Sequence, residues 1–427
     1  MIAVTLIGLL FLFIALSMPI AMAMGLATLV TMLFVDSAPP VALLARSLVT
    51  AADSFPLIAV PLFILAGDLM QAGGMSRRIV EFAFSLVGHV KGGLAYVNVL
   101  ACCFFAAISG SSPATVAAIG SNLIPEMEKV GYPRAFSSAL TAAGGMVGVM
   151  IPPSIPFIIY GVTAEVSIGN LFMAGIVPGV LFAIAYMVTA RLLLRKNAKL
   201  KEEQKSFSYQ KVGRSFGSSI WALLVPVIIL GGIYGGIFTP TEAGGVAVFY
   251  AIFVGVFVYR DIRLVDLSKI FAHSAKTSGQ ILILVVMAGG FGRLLTIAQV
   301  PNDLATAISG ISSDPLVVLL LINLLLIVIG MFMETIASII ILTPLLLPVA
   351  MAVGVDPVHF GVIMTVNLAI GFCTPPLGVN LFVASSVSGV KILQLSAAII
   401  PYFVAMLVLL AAITYIPEIS MFLPGLK

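Results

Sequence analysis

Apolar residues run along this chain in long blocks that are separated by a few polar or turn-forming residues. Many blocks have the length of a helix that crosses a lipid bilayer, about 20 residues, while several are too short or too long for one simple crossing. The pattern predicts an all-α polytopic membrane protein. Its apolar segments cover residues 4–34, 56–73, 92–108, 113–127, 133–165, 171–195, 217–238, 242–259, 279–297, 315–330, 335–353, 357–388 and 393–416.

One sustained polar stretch divides the chain near its middle. It reads RLLLRKNAKLKEEQKSFSYQKVGRSF over residues 191–216, and its charge predicts a solvated linker. The resulting units are a first unit at 1–196, a basic cytoplasmic linker at 197–216, a connecting span at 217–238 and a second unit at 239–427.

The two units repeat each other at a constant shift of 223 residues. LIPEMEKVGYP pairs with LLPVAMAVGVDP, and GVMIPPS pairs with GFCTPPL. A shift that holds this far along the chain predicts an internal duplication rather than chance matches. The matched residues are Gly67 with Gly290, Pro125 with Pro348, Gly131 with Gly354, Gly148 with Gly371, Pro152 with Pro375 and Pro153 with Pro376, since 348 − 125 and 375 − 152 both give 223.

Composition supports the membrane assignment and excludes other classes. With 61% hydrophobic and 9% charged residues over 427 positions, the chain cannot be a soluble globular domain. Cys102, Cys103 and Cys373 have no metal-ligand spacing and indicate no disulfide framework. The net charge of +4 comes from short loops, where orientation in the membrane explains it better than a nucleic-acid partner does.

The charges in the loops predict opposite orientations for the two repeats. Loops of the first repeat carry Arg77, Arg78, Lys91, Lys129 and Arg134, whereas the matching stretches QVPNDLATAISGISSDP and VAMAVGVDP contain neither Lys nor Arg. By the positive-inside rule the first set is cytoplasmic and the second is external. We expect four spans, a connecting span and four more, with a cytoplasmic N-terminus and a periplasmic C-terminus.

This topology makes two segments re-entrant helical hairpins. The hairpin at about 92–128 starts and ends on the cytoplasmic side and has its tip at SGSSP, while the hairpin at about 315–353 enters from outside with a tip near MFMETIAS. Each is followed by a discontinuous helix, at 133–165 and 357–388, because consecutive prolines cannot donate ladder hydrogen bonds. Such breaks persist in membranes only where they are buried in protein or line a wet cavity.

The tips and breaks therefore predict two pseudo-symmetric cation sites near the midplane. Free carbonyls and hydroxyls suit a hard cation such as Na⁺, and helix N-termini at the tips favour an anionic substrate group. The predicted Na⁺ ligands are Ser109, Gly110, Ser111 and Ser112 with carbonyls near Gly148, Ile151 and Pro152, and Glu334 and Thr335 with carbonyls near Gly371, Thr374 and Pro375. Predicted substrate contacts are Ser112, Pro153, Ser154, Thr335, Pro376 and Asn380.

Three other charged residues lie in apolar segments. Asp68 and Arg293 occupy near-equivalent positions of the two repeats and fit a structural partnership as well as a substrate contact. Glu242 lies in the first turn of a predicted helix and fits a capping role. We expect all three histidines to lie in loops and no cluster of metal-binding side chains.

The motifs ISGSSPATVAAIGSNLIPEMEKVGYPRAFSSALTAAGGMVGVMIPPSIPFIIYG, GMFMETIASIIILTPLLLPVA and NLAIGFCTPPLGVNLFVASS closely resemble the large membrane subunit of TRAP transporters, the DctM-like family. The resemblance covers nearly the whole chain. It implies Na⁺-coupled uptake across the bacterial inner membrane of an organic acid anion, such as a C4-dicarboxylate, a sialic acid or another sugar acid. It further implies two partners, a periplasmic substrate-binding protein and a small membrane subunit, which we expect as a separate chain.

Alternative functions stay open at this point. A stand-alone carrier of the dicarboxylate or citrate type has similar broken helices and needs no binding protein, whereas the expected permease works by elevator-type alternating access. An intramembrane enzyme requires a nucleophile with a base or a metal cluster within the spans, and the sequence predicts neither. We therefore do not expect an enzyme.

Overall fold

A computed structural model describes residues 1–90, 92–195, 207–301, 303, 304, 306 and 314–426. Throughout these residues the regular structure is helical, without strands. Eight helices within the described residues are long and apolar enough to cross a membrane. The predicted all-α polytopic membrane fold is confirmed.

The described part of the first half contains ten α-helices. They are α1 (Ile2–Ala15), α2 (Ile20–Phe34), α3 (Ala42–Ala52), α4 (Ala59–Ala72), α5 (Met75–Val87), α6 (Gly93–Ser109), α7 (Ser112–Lys129), α8 (Arg134–Met146), α9 (Ile155–Thr163) and α10 (Ile168–Leu194).

The described part of the second half contains α11 (Tyr209–Tyr234), α12 (Pro240–Phe253), α13 (Leu264–Ile297), α14 (Pro315–Phe332), α15 (Thr335–Ala352), α16 (Pro357–Gly371), α17 (Val379–Ser388), α18 (Ile392–Tyr415) and α19 (Glu418–Met421). The shift of 223 residues carries α7, at 112–129, onto 335–352, which are the bounds of α15. The sequence repeat is therefore also a repeat of helices.

The first apolar segment, predicted as a single span at 4–34, is two helices. Ser17 has a left-handed φ of 62°, Pro19 precedes the first residue of α2, and α1 packs against α2. A proline cannot continue the hydrogen-bond ladder of a preceding helix, so the chain turns here. The shift places α1 on 225–238, which overlaps α11. The helix expected to be an unpaired connector thus has a counterpart in α1.

Both hairpins and both broken helices are present. The arms α6 and α7 meet at Gly110 and Ser111, and α14 and α15 meet at Met333 and Glu334. Residues 147–154 separate α8 from α9, and residues 372–378 separate α16 from α17. The Pro–Pro peptide bond in each break is cis.

The two broken helices run antiparallel. The start of the first, α8, packs against the end of the second, α17, while α9 packs against α16. Tyr160 Oη donates to the carbonyl of Pro357 at 2.7 Å, and Asn380 Nδ2 donates to the carbonyl of Ala142 at 2.9 Å. Equivalent elements of the two repeats therefore run in opposite directions, as an inverted repeat requires.

One end of the molecule gathers basic loops. Arg78 pairs with Asp261 at 2.6 Å and stacks over Tyr259, and its carbonyl accepts from Ser219 Oγ at 2.8 Å. The shift pairs the Asp261 loop with residue 38, not with the Arg78 loop, so non-equivalent loops share this end. Lys91 and most of the 299–314 loop lie outside the described residues.

Candidate functional site

The first hairpin tip is a compact network of hydroxyls around one carbonyl. The carbonyl of Ser111 accepts from Thr115 Oγ1 at 2.8 Å and from Ser109 Oγ at 3.3 Å, and these two hydroxyls lie 3.0 Å apart. Gly110 turns the chain with a left-handed φ of 57°, a conformation that favours glycine. The tip thus concentrates oxygen atoms where α6 ends and α7 begins.

The first break packs directly behind this tip. A Cβ on Gly148 would lie 2.9 Å from the carbonyl oxygen of Ser111, and one on Gly110 would lie 2.9 Å from that of Pro153. Only glycine permits such close backbone approach. The structure therefore brings the predicted tip, 109–112, together with the predicted break, 148–153.

Other predicted residues of the first break have structural surroundings. Ser154 is fully buried; its Oγ donates to the carbonyl of Val149 at 2.6 Å and accepts from the N–H of Phe157 at 3.4 Å, which caps α9. Pro152 and Pro153 are buried, and Ile151 is half-buried. The Ser154 hydroxyl is thus occupied by capping, which sequence spacing alone did not predict.

The second tip differs because it carries a carboxylate. Glu334 Oε2 accepts from the N–H groups of Ile336 and Ala337 at 2.9 and 3.1 Å and caps α15, while the residue as a whole stays exposed. Next to it, the Thr335 hydroxyl is buried and has no hydrogen-bond partner among the described residues. A buried hydroxyl without a partner costs about 1–3 kcal/mol, which a bound ligand can recover.

The second break contacts the arm of its hairpin rather than the tip. Gly371 packs against the backbone of Gly330 so closely that a Cβ would overlap it. Thr374 Oγ1 donates to the carbonyl of Ile370 at 2.9 Å, Pro375 is half-buried, and Pro376 is exposed.

A hydrogen-bonded bridge joins the two repeats. Asn380, at the start of α17, donates through Nδ2 to Ser112 Oγ at 2.7 Å, and Ser112 Oγ donates to Asn380 Oδ1 at 3.1 Å. Both side chains are fully buried. These two predicted substrate contacts therefore bind each other.

The bridge has no counterpart on the other side of the pseudo-symmetry. The shift pairs Ser112 with Thr335 (335 − 112 = 223) and Asn380 with Phe157 (380 − 157 = 223). A phenyl ring offers no hydrogen bond, so the position that satisfies Ser112 in one half cannot satisfy Thr335 in the other. This difference accounts for the unpartnered Thr335 hydroxyl.

Both hairpin tips line one cavity of about 800 Å³. Ser109 to Ser112 lie on its wall together with Glu334 and Thr335, and the opposite side is formed by α4 and α13. The remaining predicted residues lie behind the tips, off the wall; they are Gly148, Ile151, Pro152, Pro153, Ser154, Gly371, Thr374, Pro375, Pro376 and Asn380.

Several polar residues of this cavity were not predicted as site residues, and one more, Asp68, was left open between a structural partnership and a substrate contact. His273, Thr277 and Gln280 line it from one side of α13, and Asp68 and Gln71 line it from α4. Asp68 Oδ2 accepts from Ser274 Oγ at 2.5 Å, which ties these two helices together. Polar residues at intervals of four and three in apolar helices are the sequence signal that could have revealed this wall.

The histidine and capping expectations have mixed outcomes. His273 lies in α13 and His359 lies in α16, so the expectation that all histidines occupy loops is wrong. Glu242 forms a capping box with Thr239 at the start of α12, as predicted. The described residues hold no group of three or more His, Cys, Asp or Glu that could bind a metal ion.

Similarity to known proteins covers nearly the whole chain. Residues 7–419 match the family described as "Tripartite ATP-independent periplasmic transporter, DctM component". The chain is 49% identical over 97% of its length to the isethionate TRAP transporter permease protein DctMQ of Oleidesulfovibrio alaskensis, of which it spans 65%. It is 42% identical to the C4-dicarboxylate TRAP transporter large permease protein DctM of Pseudomonas aeruginosa, over 94% of both chains.

A further relative and a solved structure extend the comparison. The 2,3-diketo-L-gulonate TRAP transporter large permease protein YiaN of Escherichia coli is 40% identical over 95% of both chains. The crystal structure of the Alcanivorax borkumensis YdaH transporter superimposes with a TM-score of 0.62 at 18% identity, covering 87% of this chain and 86% of that one. The latter likeness concerns the fold alone.

Proposed function

Because this chain belongs to the family of tripartite ATP-independent periplasmic transporters, DctM component, we propose that it takes up an organic acid anion together with Na⁺. The observation that carries the proposal is the meeting of the two hairpin tips at one cavity. One tip offers hydroxyl and carbonyl oxygens, and the other offers a carboxylate beside a hydroxyl without a partner.

Na⁺ fits these oxygen ligands. Hydroxyls, carbonyls and a carboxylate at discontinuous helices are the groups that bind coupling ions in secondary transporters. The first ion would take oxygens of Ser109, Ser111 and Thr115, and the second would take Glu334 and Thr335. When bound, the ion supplies positive charge that ties binding to closure of the tip. The residues themselves hold the oxygens in place through the tip and capping hydrogen bonds.

An organic acid fits the same cavity. Helices α7 and α15 both begin at the tips, and the N-terminal end of a helix favours an anionic group. The relatives are named for isethionate, C4-dicarboxylate, 2,3-diketo-L-gulonate and sialic acid, which are all organic acids. Among the predicted contacts, Ser112 and Thr335 line the cavity, so we place the anion against the first turns of these helices.

Transport would follow an elevator mechanism. The hairpins and broken helices pack together as one body, whereas α13 packs mainly against α2, α3 and α4 and contacts that body through α15. A second cavity, of about 1310 Å³, is lined by residues 285–296 of α13, whereas the tip cavity is lined by residues 273–284. Cavities at both ends of one seam favour sliding of the hairpin body past α13.

The two helices at the N-terminus change the proposed topology. With α1 counted as an additional membrane crossing, each repeat crosses the membrane five times and also contains one hairpin. Because five is an odd number, the second repeat starts from the opposite side of the membrane and is therefore inverted. The basic end that contains Arg78 and Arg263 would be cytoplasmic. Met1 would then be periplasmic, opposite to the expectation from a single first span, and the C-terminus would remain periplasmic. An N-terminal epitope tag that antibody reaches only after permeabilising the inner membrane would contradict this placement.

The proposed partners are a periplasmic substrate-binding protein and a separate small membrane subunit, in the bacterial inner membrane. The expected periplasmic end carries the exposed acidic residues Asp36, Glu165, Asp303, Asp314 and Asp356. Acidic surfaces steer basic partners by a long-range attraction that salt weakens. This charge favours a binding protein with a basic docking surface.

Reconstituted vesicles test the function. With the small subunit and the cognate binding protein present, uptake of the organic acid should require an inward Na⁺ gradient. Uptake in Na⁺-free buffer driven by protons would contradict the coupling ion. Uptake at the full rate without the binding protein would favour the second candidate, a stand-alone dicarboxylate or citrate-type carrier, which the broken helices also fit.

A further inference from the structure

The larger cavity is separate from the hairpin tips. It lies between α3 and α13 on one side and the loop of residues 161–170 with α15 on the other. Residues 285–296 of α13 line it, which places it nearer the C-terminal end of α13 than the tip cavity. In the proposed topology this is the periplasmic end.

Two arginines mark this cavity. Arg46 of α3 and Arg293 of α13 both lie on its wall and are exposed. Neither forms a salt bridge within the described part of the chain. Glu165 is the acidic residue on the wall, so the lining has a net charge of +1 (two Arg, one Glu).

The position of these charges is unusual for the chain. Arg293 lies four residues before the end of α13 and directly follows the uninterrupted apolar run of residues 281–292; an ionised side chain next to such a run is rare and is normally retained for function. Basic residues are also disfavoured at the periplasmic ends of spans. Membrane orientation therefore does not explain Arg46 and Arg293, although it explains the basic residues of the opposite end.

The surroundings suit a small organic anion. Ser47, Thr50, Asn170 and Thr296 add hydroxyl and amide groups to the wall, and guanidinium groups bind carboxylates and related oxyanions through paired hydrogen bonds. Gly292, next to Arg293, faces Pro344 of the second hairpin, to which a Cβ would lie 3.9 Å. Arg293 thus stands at the seam along which the hairpin body would slide.

We infer that this cavity is an external anion site in which Arg46 and Arg293 bind the acidic group of the transported organic acid before it reaches the hairpin tips. The assignment rests on the proposed function for one point, that the cavity lies on the periplasmic side of the membrane. It gives the cavity a role of its own, because capture there requires neither the tip hydroxyls nor Na⁺.

A cysteine-protection experiment tests the site on the complex with the small subunit. Thr50→Cys places a reactive thiol on the wall, and the parental chain, whose native cysteines are buried or half-buried, supplies the labelling baseline. In Na⁺-free buffer the cognate organic acid, identified by the binding protein, should slow labelling by a membrane-impermeant thiol reagent, and its neutral amide should not. Arg46→Gln and Arg293→Gln should each raise the half-protecting concentration about tenfold.

Two control variants separate this site from the tips and from net charge. Lys269→Gln removes one positive charge from the same helix as Arg293, at the position that pairs with Arg46 (269 − 46 = 223), and should leave protection unchanged. Thr335→Val should also preserve protection while impairing Na⁺-driven uptake.

Protection that needs Na⁺, or that Thr335→Val abolishes, would assign the effect to the tips and overturn the proposal. Equal protection in parental and arginine variants would overturn it as well. If the Arg293→Gln variant does not assemble with the small subunit, the Arg46→Gln variant and the comparison with the neutral amide still test the site.

Discussion

The two hairpin tips occupy equivalent positions but satisfy their oxygens differently. The first tip is neutral, and its hydroxyls bond to its own Ser111 carbonyl and, through Ser112, to Asn380 of the other repeat. The second carries Glu334, which caps its own helix, and Thr335, whose hydroxyl has no partner in the part of the chain that the structure describes. The two repeats thus share a backbone path, while the hydrogen bonds of their tip side chains differ. The first tip favours rigidity, and the second keeps an oxygen available for a ligand.

The largest expected difference concerns the glycines behind the tips. Gly371→Ala forces a Cβ into the backbone of Gly330. Gly148→Ala meets the hydroxyl of Thr115, which can rotate away, and lies 2.9 Å from the carbonyl oxygen of Ser111, which is a milder backbone clash. We expect Gly371→Ala to lower the free energy of unfolding by roughly 3 kcal/mol and Gly148→Ala by about half of that. Thermal unfolding in detergent measures both. Gly279→Ala, which meets no atom within 4 Å, should match the parent, and equal losses in both test variants would erase the contrast.

The next largest difference should come from removing the N-cap side chains of α15 and α7. Glu334→Ala deletes an acceptor for two backbone N–H groups and should cost about 1–2 kcal/mol. Ser111→Ala, at the matching position, removes a side chain that makes no capping hydrogen bond and should stay within about 0.5 kcal/mol. Denaturation midpoints of purified protein compare them, with Glu334→Gln as the variant that keeps one acceptor. A loss in Ser111→Ala as large as in Glu334→Ala would contradict the asymmetry.

The paired hydroxyls should show opposite phenotypes. Thr335→Val keeps the side-chain shape and removes a hydroxyl that has no partner among the residues described, so stability should hold while the Na⁺ concentration for half-maximal uptake rises about tenfold. Ser112→Ala takes a hydrogen bond from buried Asn380 and should cost roughly 1 kcal/mol of stability. Thr335→Ser retains the hydroxyl and serves as the control for Na⁺ dependence. Unchanged Na⁺ dependence in Thr335→Val would reduce this tip to packing.

The smallest effect should come from reversing surface charges at the two ends of the molecule, where the hairpins enter. The first hairpin opens at the basic end and the second opens at the acidic end. Reversing exposed Asp36 and Asp303 to Lys should slow uptake that depends on the binding protein a few-fold at low salt and less at high salt. Asp314 and Asp356 are less suitable, because each accepts backbone N–H bonds at a helix start. Glu126→Lys, at the opposite end, should leave uptake at the parental rate across ionic strengths.

The sequence predicted the backbone architecture well because glycine, proline and charge carry that information locally. The hairpin tips at Gly110 and Glu334 and the breaks at the two Pro–Pro pairs lie where their residue types require them. The turn after α1 was missed because apolar residues surround Pro19, so the apolar segment continued through the turn without a break. Continuous hydropathy does not separate one long span from two short helices.

The site was harder to predict, since its contacts join distant parts of the chain. Ser112 and Asn380 were both named, but their mutual hydrogen bond spans 268 positions and removes them from the list of free ligands. Ser154 was also named, but for the opposite reason it is not a free ligand: its partners, the carbonyl of Val149 and the N–H of Phe157, lie within five residues and make it a helix cap. The wall of α13 was missed because the predicted apolar segment began at residue 279, whereas the helix begins at Leu264 and its polar N-terminal half lines the cavity.

Phe157 has a consequence for the history of the fold. A gene that encoded one half alone would assemble as a pair of identical chains facing in opposite directions, and each copy would place the same residue opposite the partner's tip. Two asparagines would bridge both tips, and two phenylalanines would leave both without a bridge. The present chain holds one of each, a combination that identical subunits cannot encode. Duplication into two separately encoded halves therefore permitted the divergence between the tips, and a return to a symmetric dimer of either half would lose it.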